Sequence, residues 1–155
     1  MSSYRILSRS PEETIEAGAA LGARLRAPVL VMLSGELGAG KTTLAKGIIS
    51  GLGAGRPEDV TSPTFTLVHA FHNHCKVYHV DLYRVSGVHD LETIGLEDVL
   101  AEAAVVLVEW PEKMILRTDW PIVRVRLEQL ESDERGIEVF DSSGVLGVNA
   151  RSDSR

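Results

Sequence analysis

One eight-residue stretch limits the folds that this chain can adopt. It matches the pattern Gly-x-x-x-x-Gly-Lys-Thr and consists of Gly35, Glu36, Leu37, Gly38, Ala39, Gly40, Lys41 and Thr42. The apolar run at residues 29–33 precedes it, and helical spacing follows over residues 41–49. In this strand–loop–helix context, glycines let the backbone curl so that successive N–H groups face phosphate oxygens. The stretch therefore predicts a phosphate-binding loop in an α/β fold, in preference to a chance glycine turn before a helix.

Two side chains of the motif carry chemistry that a bound nucleoside triphosphate needs. Lys41 can reach the β and γ phosphates, and the Thr42 hydroxyl can ligate Mg²⁺ at the start of the helix. A site of this kind also needs a carboxylate near the metal, usually at the end of a neighbouring strand. The rest of the chain should therefore supply an acidic residue directly after a buried strand.

Asp81 and Glu109 are the two acidic residues in such positions. Glu109 follows the apolar run at residues 105–108, and Asp81 ends a shorter strand-like segment. Because ligands gather at the carboxyl ends of parallel strands, both carboxylates could face the loop. A metal or water-activating role is favoured for Glu109, whereas Asp81 could instead pair with Arg84 or form a turn. The sequence leaves open which of the two contacts the metal directly.

A hydroxyl-rich loop separates the phosphate-site helix from the next predicted strand. It contains Thr61, Ser62, Thr64 and Thr66, and Pro63 stiffens it. In proteins with this phosphate-binding loop, the loop at this point often senses the γ-phosphate. We predict that Thr64 makes that contact; a polar turn that merely leads into a strand is the alternative.

The remaining segments alternate between strand and helix patterns. Ser10, Pro11 and Glu13 mark a helix N-terminus, with Ser10 as the N-cap, and the helix is expected to end near residue 26. Further patterns predict an N-terminal strand at residues 4–7, a hairpin of strands 64–71 and 76–82, and a helix at 88–102. Two half-solvated antiparallel strands are predicted at residues 123–127 and 137–140. The pattern predicts one domain over residues 1–147 and a frayed tail over 148–155.

Charge and cysteine content narrow the environment and the partners. The chain has 16 Lys and Arg against 22 Asp and Glu, a net charge of −6 and a pI near 5.3. Clustered cations hold nucleic-acid phosphates, so the chain is a poor candidate for binding DNA or naked RNA alone. The single Cys75 suits a reducing compartment, and no apolar run approaches the roughly 18–20 residues that span a bilayer. We therefore expect a cytoplasmic protein without a membrane anchor.

A zinc site is the competing interpretation of a histidine-rich segment. Its members are His69, His72, His74, Cys75 and His79. Their spacing fits no standard zinc finger, and they straddle the presumed hairpin tip, where polar side chains are common. We therefore favour a polar turn over a metal site there.

Two other classes of nucleotide-binding protein can be tested by their motifs. A GTPase would carry Asn-Lys-x-Asp, but neither Asn73 nor Asn149 precedes a lysine. The length of the chain is compatible with a small-molecule kinase, in which Arg117, Arg124 and Arg126 are conceivable lid or finger arginines. These arginines lie on or beside a strand-like segment, which weakens that interpretation.

Four motifs occur in order and together resemble one known family. They occupy residues 35–43, 62–68, 78–84 and 108–113, with the sequences GELGAGKTT, SPTFTLV, YHVDLYR and VEWPEK. This set resembles the TsaE family, bacterial ATPases required for threonylcarbamoyladenosine synthesis in tRNA. The resemblance extends over about residues 10–113.

The resemblance implies a single-domain P-loop NTPase fold, with a mainly parallel central sheet, antiparallel edge strands and flanking helices. It also implies ATP and Mg²⁺ as ligands, and a catalytic set of Lys41, Thr64, Asp81 and Glu109. The further residues it assigns are Thr42, Asp81 and Glu109 near the metal, Thr64 in the switch loop, and Thr43, Arg9 and Ser10 in nucleotide binding.

The partners implied by the resemblance are TsaD and its paralogue TsaB. The chain would dock on their heterodimer, and its ATP hydrolysis would support repeated rounds of modification, with tRNA contacted only through the complex. The alternative is an assembly factor in which ATP binding, rather than hydrolysis, regulates docking. We expect slow hydrolysis by the isolated chain, because no arginine is obviously placed as a finger.

Overall fold

The computed structural model describes residues 2–56, 68–71, 76–83, 99–113, 118–144 and 146. The strands are β1 (Ser2–Ser8), β2 (Val29–Ser34), β3 (Val68–Phe71), β4 (Val77–Asp81), β5 (Val105–Glu109), β6 (Ile122–Gln129) and β7 (Arg135–Asp141). The helices are α1 (Pro11–Gly22) and α2 (Lys41–Gly51), and a 3₁₀ turn follows β5 at Pro111–Lys113.

These strands join one sheet in the order β1-β7-β6-β2-β5-β4-β3. The four central strands, β6, β2, β5 and β4, are parallel, whereas β7 and β1 at one edge and β3 at the other pair antiparallel. This arrangement confirms the predicted α/β fold with a mainly parallel centre and antiparallel edges. It also brings the carboxyl ends of β2, β5 and β4 to the same edge of the sheet.

Burial of the strands follows their place in the sheet. Every residue of β5 is buried and β2 is nearly so, as expected for continuous apolar strands at the centre of a parallel sheet. Most of β6 alternates buried and exposed residues. Its pairing corrects the expectation of a purely antiparallel strand, because β6 is antiparallel to β7 but parallel to β2. The alternation reflects one solvent-facing side of β6 rather than its direction of pairing.

The core occupies both faces of the sheet. The larger part includes helix and strand residues together, among them Leu21, Leu44, Ile48, Val31, Leu33, Val77, Leu107 and Val125. A smaller cluster on the other face contains Leu30, Val80, Leu82, Ala104, Val106 and Val108, with Trp110 and Trp120 packed against it. Alternate residues of a strand lie on the same face of the sheet. Glu109 therefore lies on the helix-covered face with Leu107, and Asp81 lies on that face with Val77 and His79.

Helix α1 begins as predicted and ends earlier. The Ser10 hydroxyl accepts a hydrogen bond from the Glu13 N–H at 3.1 Å, and the Glu13 carboxylate accepts one from the Arg9 N–H at 2.8 Å. The expected end near residue 26 is wrong, because the α-helix ends at Gly22. The backbone then tightens into i→i−3 hydrogen bonds up to Leu25, so apolar spacing continues without α-helical geometry.

Glycines bring α1 and α2 into backbone contact. Each helix carries two glycines four residues apart: Gly18 and Gly22 in α1, and Gly47 and Gly51 in α2. A Cβ added at any of the four would lie 2.1–2.5 Å from a backbone carbonyl oxygen of the other helix. No side chain fits in such a gap, so the two helices touch along this glycine seam.

Several predictions concern residues outside the described ranges. The hairpin is present as the antiparallel pair of β3 and β4, but its turn at residues 72–75 lies outside them. Also outside are Thr64, most of the predicted helix at 88–102 and the predicted tail, so the domain boundary at residue 147 stays a prediction. Within the described residues, no helix combines the length and apolar character needed to cross a membrane.

Candidate nucleotide site

The loop between β2 and α2 has the backbone that its glycines favour. Gly35, Gly38 and Gly40 have φ angles of 148°, 84° and 103°, which side-chain-bearing residues rarely adopt. At Gly35, a Cβ would also lie 2.5 Å from the Leu127 carbonyl oxygen of β6. The loop ends where α2 begins at Lys41. A helix N-terminus leaves N–H groups free to bind an anion such as phosphate.

The Lys41 side chain lies folded over this loop. It is 5% exposed, and its ammonium donates hydrogen bonds to the carbonyl oxygens of Gly35 and Glu36, the latter at 3.1 Å. The same nitrogen lies 3.8 Å from the centre of the Trp110 ring, within range of a cation–π contact. Burial lowers the pKa of Lys41 from its ordinary 10.5, and nearby carboxylates, Glu109 foremost, oppose that shift. A phosphate in the loop would give this buried charge a counter-ion.

The Thr42 hydroxyl and the Glu109 carboxylate meet beside the loop. Thr42 lies in the first turn of α2, and Glu109 ends β5, the strand next to β2. The Thr42 Oγ1 atom is 3.0 Å from both Oε1 and Oε2 of Glu109. Glu109 is 2% exposed. A hydroxyl and a carboxylate together supply oxygen ligands of the kind that Mg²⁺ prefers.

Asp81 lies directly beside Glu109 in the sheet. The register of the parallel strands β4 and β5 pairs these two residues. Asp81 is 9% exposed, and its Oδ1 accepts a hydrogen bond from the Tyr83 N–H at 3.0 Å. The structure therefore brings both strand-end carboxylates to the edge where the loop begins, and Glu109 is the one in contact with Thr42.

A buried histidine contacts the same carboxylate. The Nε2 atom of His79 lies 2.6 Å from Oε2 of Glu109, and His79 is fully buried. An ionised carboxylate can only accept hydrogen bonds, so Nε2 carries the hydrogen in this contact. The other ring nitrogen, Nδ1, has no hydrogen-bond partner among the described residues.

His79 is the histidine of the histidine-rich segment whose side chain the structure describes. His79 lies inside β4, as the predicted strand over residues 76–82 implies, whereas His72, His74 and Cys75 lie outside the described residues. Across the part of the chain that the structure describes, no group of three or more His, Cys, Asp or Glu side chains is arranged to hold a metal ion. The contact with Glu109 is a new finding, because the sequence pattern relates His79 only to the histidines and the cysteine near it along the chain. Its alternation with Asp81 on one strand was the available signal.

Trp110 directly follows Glu109 and has a left-handed backbone, with a φ of 63°. Its N–H donates to the Leu33 carbonyl oxygen at 3.3 Å, which ties the end of β5 to β2. Its ring lies 5.1 Å from the Tyr83 ring and covers Lys41. A left-handed conformation costs a residue with a side chain about 1–2 kcal/mol. The site therefore holds Trp110 in a strained conformation beside the phosphate-binding loop.

One arginine from the far end of the described chain also reaches the loop. Arg135 begins β7, and its Nη2 atom lies 3.4 Å from the Gly38 carbonyl oxygen. Its Nη1 atom donates to the carbonyl oxygens of Glu134 and Ser132, at 3.0 Å and 3.3 Å, which hold the guanidinium in place. No motif pointed to this contact, since 97 positions separate Arg135 from Gly38. This contact is with the loop backbone, so the expectation that no arginine is placed as a finger stays a prediction.

Ser10, Arg9, Thr43 and Leu37 are also proposed for nucleotide binding, and none of them takes part in the site contacts described above. The Ser10 hydroxyl caps α1, Arg9 is exposed beside it, and Thr43 is partly buried in α2. Leu37 projects from the loop with 68% of its surface exposed. Thr64 lies outside the described residues.

Two of the three arginines considered for a kinase lie on the face of the sheet opposite the helices. Arg124 and Arg126 are exposed on β6, between buried residues that face the helix-covered side. Alternation therefore directs both toward the opposite face, where Arg124 donates to the Met32 sulfur at 3.2 Å. Arg117 lies outside the described residues.

The residues present fit a nucleoside triphosphate with Mg²⁺. The positive-φ loop surrounds a helix N-terminus, and Lys41 supplies a buried positive charge. Thr42, Glu109 and Asp81 supply oxygen atoms at one edge of the sheet. Mg²⁺ is usually held by one or two carboxylates together with phosphate oxygens and water, so a donor set of this size is sufficient.

Comparison with known proteins yields matches along most of the chain. A family model described as Threonylcarbamoyl adenosine biosynthesis protein TsaE matches residues 8–137. A Treponema pallidum protein named tRNA threonylcarbamoyladenosine biosynthesis protein TsaE is 36% identical over 135 residues, which cover 87% of this chain and 98% of that protein. A Streptomyces coelicolor protein of the same name is 43% identical over 122 residues, 76% of this chain and 80% of that protein.

A solved structure has the same fold. The crystal structure of Bacillus subtilis YdiB is similar to 99% of this chain, over 95% of its own length, with a TM-score of 0.73 and 28% identity. The region matched by the family model includes the phosphate-binding loop, both strand-end carboxylates and Arg135. Since that model spans most of the chain and the similar proteins match along most of their own length, the chain belongs to the TsaE family.

Proposed function

We propose that this chain is an Mg²⁺-dependent ATPase that acts in the synthesis of threonylcarbamoyladenosine on tRNA. The observation that carries the proposal is the contact of Thr42 with Glu109 at the N-terminus of α2, beside the buried ammonium of Lys41. Phosphoryl transfer depends on such a set of positioned cation, hydroxyl and carboxylate. Membership of the TsaE family supports the role in tRNA modification.

The residues of the site have separate tasks in this proposal. N–H groups of the loop and of the start of α2 bind the phosphates, and Lys41 moves from the loop carbonyls to the charge that develops on the transferred group. Thr42, Glu109 and Asp81 would hold Mg²⁺, which would supply positive charge to neutralise the phosphates. Glu109, the carboxylate in contact with Thr42, orients the attacking water.

TsaD and TsaB are the proposed partners, as the family resemblance implies. A net charge of −6 disfavours a direct grip on tRNA, so the larger partners would hold the RNA. A partner that adds a cation or orders a loop at the site would raise the slow hydrolysis expected of the isolated chain.

ATP hydrolysis by the purified chain, with and without TsaD and TsaB, tests this proposal. Lys41→Ala removes the buried ammonium, and we expect hydrolysis to fall by at least about 10²-fold. Arg126→Ala is the matched control, because it removes an exposed cation from the opposite face and should leave the rate unchanged. Full activity in Lys41→Ala would show that the phosphate-binding loop is misassigned, whereas no hydrolysis by the unsubstituted chain, with or without the partners, would contradict the ATPase role. Equal rates with and without the partners would contradict activation by them.

Glu109→Ala distinguishes hydrolysis from regulation by binding alone. In the ATPase proposal, this variant supports at most about one round of tRNA modification for each complex, because the site cannot be reset. A nucleotide-dependent assembly factor would instead allow many rounds with the same variant, once titration has shown that the variant still binds ATP. The measurement is the number of modified tRNA molecules per complex at saturating ATP.

A further inference from the structure

We propose that His79 is a positioning residue for Glu109, acting through the hydrogen on its Nε2 atom. The proposal rests on the ATPase function above and concerns how the chain holds the carboxylate of that site. Oε2 of Glu109 lies 2.6 Å from His79 Nε2 and 3.0 Å from Thr42 Oγ1, and Oε1 lies 3.0 Å from Thr42 Oγ1. The carboxylate is thus held from β4 on one side and from α2 on the other.

Strand register explains how the imidazole reaches the carboxylate. His79 pairs with Leu107, which precedes Glu109 by two residues, so His79 and Glu109 are diagonal neighbours on one face of the sheet. Diagonal positions on adjacent strands are within reach of long side chains. Both side chains are almost completely buried, and a hydrogen bond to a charged group is strong in such surroundings.

Packing alone does not account for a histidine at this position. Its Nδ1 atom is buried and has no partner among the described residues, and an unpaired buried polar atom costs free energy. An apolar side chain of similar volume would fill the same space without that cost. The contact that only the histidine supplies is the one from Nε2 to Glu109.

The consequence of this contact is the orientation of Glu109. Lys41 is a nearby group of opposite charge, and among the carboxylates that favour the charged form of Lys41 the influence of Glu109 is the largest. Without the imidazole, the carboxylate would be free to turn toward that ammonium. His79 therefore keeps Glu109 beside Thr42 and leaves Lys41 available for phosphate.

Three substitutions at one position separate hydrogen bonding from packing. The side-chain amide nitrogen of His79→Gln can occupy the place of Nε2, whereas that of His79→Asn reaches only the place of Nδ1, and His79→Leu has no donor. We expect kcat for ATP hydrolysis to fall about 10–100-fold in the Asn and Leu variants, as losses of such supporting contacts do. The KM for ATP in the presence of Mg²⁺ should rise by no more than the affinity that Mg²⁺ contributes, because the loop and Lys41 still bind the phosphates. His79→Gln should stay within about threefold of the unsubstituted chain.

Binding of a non-hydrolysable ATP analogue, titrated with and without Mg²⁺, supplies a readout besides activity. The unsubstituted chain and His79→Gln should bind the analogue more tightly with Mg²⁺, and the Asn and Leu variants should lose most of that gain. Equal Mg²⁺ dependence in all four proteins would overturn the proposal for His79. Absence of hydrolysis in the unsubstituted chain, with Mg²⁺-dependent binding still lost in the Asn variant, would overturn the ATPase function instead.

Thermal unfolding of each variant shows whether it is folded. If His79→Leu does not fold, the comparison of the Gln and Asn variants tests the role of the hydrogen bond. These two variants carry the same amide group at different distances from the backbone. Equal kcat values and equal Mg²⁺ dependence in those two variants would show that the position of the donor does not matter, and would overturn the proposal.

Discussion

Contacts with the phosphate-binding loop offset part of the cost of burying the charge of Lys41. Two backbone carbonyl oxygens and the face of Trp110 surround the ammonium, and burial lowers its pKa. The cost of removing this charge from water is therefore met during folding rather than during binding. A ligand that brings negative charge gains from a site prepared in this way. The left-handed backbone of Trp110 is part of the same preparation, because that residue carries the ring.

The strain at Trp110 can be measured with a matched pair of variants. Trp110→Gly and Trp110→Ala both remove the ring, but only glycine adopts a φ of 63° at little cost. We expect the free energy of unfolding of the Gly variant to exceed that of the Ala variant by about 1 kcal/mol. Urea unfolding measures the difference. If the Ala variant proves the more stable one, the backbone at this position is not strained.

The helix pair α1 and α2 sets the depth at which the phosphate-binding loop lies on the sheet. The glycine seam allows backbone contact, so α2 packs close to α1 while its other side meets the sheet. α2 carries Thr42 at its start, and the contact of Thr42 with Glu109 depends on where the helix lies. Helix packing and site geometry are therefore coupled.

Gly47→Ala tests the seam directly. The added Cβ would lie 2.2 Å from the Ile15 carbonyl oxygen, so the helices must move apart. Overpacking of this kind typically costs about 1–3 kcal/mol, and we expect a net loss in that range although alanine favours helix formation by about 1 kcal/mol. Lys46→Ala, at a partly exposed position of the same helix, should change stability by less than about 0.5 kcal/mol. Urea unfolding of both variants provides the measurement, and an unchanged midpoint for Gly47→Ala would contradict the close contact.

At the scale of the whole molecule, strand direction assembles the site from distant parts of the sequence. The parallel strands β2, β5 and β4 all end at one edge, where they deliver the loop, Glu109 and Asp81. β7 is antiparallel to β6, so it begins at the edge where β6 ends, and the register pairs Gln129 with Arg135. This reversal of direction places Arg135 beside the loop, although β7 pairs with β1 at an edge of the sheet and carries no other residue of the site.

Arg135→Ala should weaken nucleotide binding more than it slows the chemical step. The guanidinium joins the loop carbonyl of Gly38 to the turn before β7, but it is partly exposed and its contact is long, so the loss should be modest. We expect the dissociation constant for ATP to rise about threefold to fivefold, which corresponds to about 1 kcal/mol. Arg126→Ala is the control, and titration calorimetry the measurement. Unchanged affinity in Arg135→Ala would show that the loop keeps its conformation without this contact.

Local patterns predicted the features that depend on neighbouring residues. The apolar runs of β2 and β5 and the glycine loop between strand and helix are visible in short windows, so the parallel sheet and the loop could be placed without a structure. The end of α1 was missed because i→i−3 turns continue the same apolar spacing as a helix.

The contacts made by His79 and Arg135 could not be predicted in this way. Each depends on the register of one strand against another, and a slip of one residue would turn His79 to the opposite face. Register is decided by packing across the whole sheet, which no window of sequence contains. Asp81 and Glu109 could be nominated because both end their strands, whereas their direct pairing also needed the register.

The glycine seam between α1 and α2 restricts how this protein can change over evolutionary time. In most cores, an enlarged side chain can be accommodated by a smaller one opposite it. At the seam, the atoms opposite each glycine are backbone atoms of the other helix, and no substitution can make those smaller. A second-site suppressor of a change there would have to shift an entire helix, and with it Lys41 and Thr42. We therefore expect suppressor selections for seam variants to yield reversions, or globally stabilising changes elsewhere, rather than compensating changes across the seam.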